Sequence, residues 1–234
     1  MHPIQRTWSR TRINLMQRCP RAFVLRYGIA AYATKHPTGQ MLREYFSIQT
    51  PWILMQMSIR ETIRDYVEDY QIGMRWSTNL IQLKFNQIFR HRIQDRNSII
   101  SKLSTWNEKN SMFHRVNPEQ HLEEIGAERC IKLIQDELFI QLLNTTVFKS
   151  ISPLKSKIVD GIKIYNSADF CAEKGKRSML IRINLFGYSS IDQINQNAAL
   201  ISLGTDKKTI VQYSWKNGKW FIHKTNVSKK ENKS

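Results

Sequence analysis

The sequence predicts a single α/β domain, and three observations lead to it. Two apolar runs bracket a polar turn, Glu173-Lys174-Gly175-Lys176-Arg177, that carries a glycine. An Asn217-Gly218 pair sits between alternating aromatic and apolar runs, the short-range pattern of a hairpin whose turn needs positive φ. Residues 1–150 show mainly helical spacing, whereas residues 151–226 hold both hairpins and one further helix. In the first hairpin, spanning 161–187, Ile162, Ile164 and Tyr165 form the outgoing strand, which ends in Asp169, and residues 179–186 return. Because residues two apart on a strand face one side, Arg182 and Asn184 share a face, and Arg182 is expected to point at Asp169 and pair with it.

The other elements follow in chain order. Ser9 can cap a helix whose apolar face is Ile13 and Met16, and Pro20 interrupts that helix before a second short one. Residues 55–70 form a helical pattern. Residues 76–89 and 99–106 show mixed apolar spacing, and 107–119, with Asn, Ser, His and Pro, reads as a surface connection. Residues 123–143 read as one long amphipathic core helix with Ile131, Ile134, Leu138 and Leu142 on its face. Residues 191–203 form a helix after the first hairpin, 209–223 form the second hairpin, and 227–234 is a frayed tail. Trp52, Met55, Met57 and Met74 fit either the core or an apolar surface for a partner.

Composition bounds the function. A chain of 234 residues with 41% hydrophobic content can bury one good core. It contains no run of eighteen apolar residues, and its N-terminus lacks a signal-peptide block, so a cytoplasmic protein without a membrane partner is expected. Cys19, Cys130 and Cys171 have neither metal-ligand spacing nor the even count of a disulfide framework. The histidines show no zinc-site spacing, and no Gly-rich phosphate loop is present. The net charge of +17 favours a phosphate backbone as partner over an acidic protein. Arg10, Arg12 and Arg21 near the N-terminus and Lys163, Lys174, Lys176, Arg177 and Arg182 around the hairpin are the expected nucleic-acid contacts.

Four stretches together resemble the RecB-like branch of the PD-(D/E)XK nuclease superfamily, which includes the RecB nuclease domain and the RecB-like CRISPR adaptation nucleases. Ser9 followed by Cys19-Pro20-Arg21-Ala22-Phe23 and Tyr27 is similar to the family's N-terminal Cys-Pro-Arg signature. Ser58 and Thr62 stand where its Gly-x-x-x-His helix has glycine and a metal-binding histidine. Asp169 matches the first acid of its catalytic hairpin, with Arg182 in place of the second acid and Asn184 in place of the lysine. Gln193 fits the glutamine of its Gln-x-x-x-Tyr helix, with Asn197 for the tyrosine.

The resemblance implies a restriction-endonuclease-like core, a central mixed sheet flanked by helices, that no longer cuts. A guanidinium cannot ligate Mg²⁺, and Asn184 brings no charge to the transition state. No catalytic residue, no resident metal and no iron–sulfur cluster are therefore expected, Cys19 being expected buried. The implied role is a nucleic-acid-binding subunit, with DNA the expected substrate, of a DNA-repair or antiviral-defence complex beside a helicase, nuclease or guide-dependent effector. Two alternatives stand beside it. One is an active Mg²⁺-dependent deoxyribonuclease in which Glu61, Asp65 and Asp169 gather the carboxylates and Lys163 or Lys174 replaces the lysine. The other is a purely structural subunit that binds only protein.

Overall fold

The computed structural model describes residues 7–8, 10–32, 35–104, 119–150, 156–159, 162–165, 168–175, 177–184, 198–199, 201 and 209–226. The chain is α/β, and its helical part comes first. After a two-residue strand β1 (Thr7–Trp8), α1 (Arg10–Arg18) and α2 (Pro20–Val24) meet at Cys19, whose Sγ accepts the Ala22 N–H at 3.4 Å while Pro20 opens α2. That junction is where Pro20 was expected to break the helix, since proline lacks the N–H a helix interior needs but suits a first turn. Cys19 itself is exposed rather than buried, because it is spent as a cap. A π-helical turn (Leu25–Ile29) and α3 (Ala30–Tyr32) lead to α4 (Pro37–Ser47).

Three longer helices form the main core. In α5 (Pro51–Gln71), Thr50 caps with Oγ1 accepting from Ile53 N at 3.3 Å, and Pro51 occupies the first turn. α6 (Thr78–Ser104) is one continuous helix where the spacing had suggested two segments. α7 (Glu119–Ile134) lies close to it at Gly126, where an added Cβ would sit 2.0 Å from Phe85 Cζ. The long helix expected over 123–143 is two helices, α7 and α8 (Glu137–Thr145). Asp136 breaks it by capping α8, accepting the Phe139 N–H at 2.9 Å. The change of axis moves the buried face: Leu138 is 54% exposed, while Leu133, Phe139 and Leu143 are buried. Met55 is core, whereas Trp52, Met57 and Met74 are exposed.

The central sheet has five strands in the order β2 (Val147–Ser150), β5 (Phe170–Lys174), β6 (Arg177–Asn184), β7 (Thr209–Lys216), β8 (Lys219–Asn226), and it is mixed, with β6 and β7 parallel and the other pairs antiparallel. A smaller sheet orders β1, β4 (Ile162–Tyr165) and β3 (Ser156–Val159). This corrects the expected first hairpin. Ile162–Tyr165 pairs with β3, and the strand that pairs with β6 is Phe170–Lys174, so Asp169 precedes its strand instead of ending it. Gly175, at φ 54°, makes the turn. The second hairpin is as expected: Asn217 and Gly218 take φ of 51° and 75°, and Trp215 faces Trp220 across the ladder with ring centroids 5.2 Å apart.

The pleat sorts side chains to two faces. Ile181, Ile183, Val211 and Tyr213 belong to the core shared with α5, α6 and α7. Leu180 and Ile210 belong to a second cluster on the other face with Ala198 and Ile201, and Ala198–Ala199 and Ile201 are helical. These residues lie within the 191–203 helix predicted from sequence; the remainder of it, Gln193 included, lies outside the described residues, as do 107–118 and 227–234.

Candidate functional site

Asp169 is the residue around which a nuclease-like site would be built, and its surroundings are set by where β5 stops. The last ladder pair is Phe170 with Ile181. Ile183, two residues further along β6, turns its N–H and C=O toward a neighbour strand that has already left. Two side chains replace that neighbour. Asp169 Oδ2 accepts the Ile183 N–H at 2.7 Å, and the Arg60 guanidinium, reaching over from α5, donates to the Ile183 carbonyl at 3.3 Å. Arg60 Nε stands 3.3 Å from Asp169 Oδ1, an ionic contact without hydrogen-bond alignment. Carboxylate and guanidinium thus imitate the C=O and N–H of the missing peptide, satisfying backbone groups that would be costly to bury unpaired. The Asp169 N–H donates to the Ile181 carbonyl at 2.8 Å, which holds the bend in place.

The expected Asp169–Arg182 pair is therefore replaced by Asp169–Arg60. The reason is the alternation on β6: Arg182 and Asn184 share the face of Leu180, opposite the face of Ile181 and Ile183 that packs on α5. Asp169 lies outside the ladder and is reached from α5. Arg182 is half-buried, and Asn184 is 5% exposed with Nδ2 3.5 Å from Ser214 Oγ. Thr62 is fully buried in α5 and donates to the Ser58 carbonyl at 2.9 Å. Thus Thr62, Arg182 and Asn184 do not converge on Asp169.

The carboxylates of the active-nuclease alternative do not gather either. Glu61 pairs with Arg92, and Asp65 with Lys84 at 3.2 Å, so both are tied to α6 rather than to the neighbouring arginines of their own helix. Among the described residues no group of three or more His, Cys, Asp or Glu side chains is placed to hold a metal ion. The residues present at Asp169 do not fit Mg²⁺, which needs several oxygens around it: one oxygen already takes a backbone N–H and the other faces a fixed cation.

The expected nucleic-acid contacts are scattered. Lys163 is half-buried in β4, and Lys174 is exposed at the end of β5. Arg177 pairs with Lys174 in the ladder, and Arg10 opens α1, but their side chains lie outside the described set, as does Lys176 entirely. Arg21 is exposed on α2, and the Arg12 guanidinium lies over the Tyr27 ring at 4.3 Å from its centroid. Spacing had not brought out the grouping of Arg12, Arg26, Tyr27 and Phe46, because its members come from α1, the π-helical turn and α4. Nor had it brought out Arg129, buried in α7 between Trp52 at 5.0 Å and Trp215 at 5.2 Å. Burial lowers the Arg129 pKa, with Glu128 opposing it, and the Arg129 carbonyl accepts from Trp220 Nε1 at 3.1 Å. That residue anchors the β7–β8 hairpin to α7. The chain matches no family model, and no curated protein or solved structure matches it.

Proposed function

We propose that this chain is a catalytically degenerate, RecB-like nuclease-fold protein that binds nucleic acid without cutting it, as a subunit of a larger DNA-processing or antiviral-defence assembly. The observation behind it is the state of Asp169, whose carboxylate is engaged by Ile183 and Arg60 while the residues at the other motif positions lie elsewhere. The α/β architecture with a mixed sheet is compatible with that family, and the net charge of +17 supplies the attraction to phosphates. No helix among the described residues is long and apolar enough to cross a membrane.

The test is filter binding of DNA and RNA oligonucleotides at low and moderate salt. Affinity is expected to fall steeply as salt rises, because each neutralised phosphate releases counterions. Salt-insensitive retention, or none at low salt, contradicts the proposal and favours a subunit that binds only protein.

A further inference from the structure

We propose that the N-terminal module carries a stacking track for single-stranded polynucleotides, built on Tyr27, Phe46 and Tyr45 and charged by Arg26, Arg18 and Arg21. It rests on the nucleic-acid proposal above and adds to it a place and a strandedness. The first fifty residues contain eight cations and one acid, Glu44, so about a fifth of the chain holds +7 of its charge. Among the described residues Arg18, Arg21 and Arg26 join no salt bridge.

The aromatic rings of this module are connected by guanidinium groups. Tyr27 packs on Phe23 at 5.2 Å, and Arg26 lies over Tyr27 at 5.7 Å and over Phe46 at 5.8 Å. Phe46 meets Tyr45 edge-on at 5.7 Å. None of these rings belongs to either buried core cluster, and Tyr45 is 51% exposed. Rings that do not fill a core, alternating with cations along a continuous line, fit a ligand that alternates flat apolar bases with phosphates. Bases offer their faces to such rings only when unstacked, which selects a single strand over a duplex. A membrane-binding helix would instead segregate its rings from its cations; here the Arg26 guanidinium lies directly over them.

The full chain is tested by fluorescence anisotropy with labelled oligothymidylate and oligouridylate, with a duplex, and by co-sedimentation with anionic phospholipid vesicles. Tyr45→Ala is expected to weaken single-strand binding about ten-fold, with no change in the duplex or in melting temperature, and Tyr45→Phe to restore it. Arg18→Ala with Arg21→Ala is expected to lower the salt slope by roughly one. The DNA and RNA arms show which sugar is preferred. If the wild type binds oligonucleotides but Tyr45→Ala and Tyr27→Leu bind as tightly, the track is refuted and the proposal of nucleic-acid binding stands. If it binds no oligonucleotide, both fall. Vesicle binding that depends on Tyr45, without oligonucleotide binding, refutes the track in favour of a membrane surface.

Discussion

Asp169 shows how one residue can keep a motif position and change its chemistry. Its side chain is 11% exposed and that of Arg60 30%, so the pair is screened far less than a surface ion pair. Removing the carboxylate leaves both the Ile183 N–H and the Arg60 guanidinium without partners, and Asp169→Ala is expected to cost about 3 kcal/mol in urea unfolding. Asp169→Asn retains an acceptor for Ile183 and is expected to lose only about 1 kcal/mol. A double-mutant cycle separates the two candidate partners: Asp169 should couple to Arg60, while Asp169 and Arg182 should be additive to within about 0.5 kcal/mol. Coupling to Arg182 instead would contradict the geometry. A second prediction concerns pH. Burial raises the Cys130 thiol pKa above its ordinary 9.0 and, with help from Asp136, the Tyr213 phenol above 10.0. Both are neutral in the folded state, so their contribution to stability is full below the unfolded values and is lost as pH rises past them. Melting temperature should fall above about pH 9, and Cys130→Ala should remove the early part of that fall; an unchanged profile in the variant would contradict it.

At the scale of elements, the close approach of α6 and α7 depends on Gly126. An alanine there would drive Cβ into the Phe85 ring, which is fully buried and stacked on Phe89 at 5.8 Å. Gly126→Ala is expected to destabilise by about 2–3 kcal/mol despite the better helix propensity of alanine, and Phe85→Leu in the same chain should recover part of it. A rise in melting temperature would show that the helices are not in contact there. The sequence made the local devices legible: Pro20 between α1 and α2, Asn217-Gly218 between β7 and β8, and the apolar pattern of α5. Each is decided by neighbours in the chain. It did not show which strand Asp169 would precede, because Ile162–Tyr165 and Phe170–Lys174 are both short apolar runs and only long-range pairing assigns them to different sheets. The break between α7 and α8 was hidden for the opposite reason: Asp136 is a strong cap, but apolar spacing runs on through it.

For the whole molecule, the resemblance in motif order and the excess of positive charge were both legible from residues alone, while the placement of the motif residues was not. Arg182 and Asn184 stand at the right spacing, yet the pleat turns them to the face away from α5, and Arg60, whose tie to Asp169 spans more than a hundred positions of the chain, takes the place expected for Arg182. The central claim is that the fold binds nucleic acid and does not cut it. The most direct measurement incubates the purified chain with end-labelled single- and double-stranded DNA and with Mg²⁺ or Mn²⁺, at protein concentrations where filter binding shows the strands bound, and resolves the products on a denaturing gel. Bound strands that remain full length with either metal are the predicted result. Metal-dependent shortening that Asp169→Ala abolishes would contradict the account.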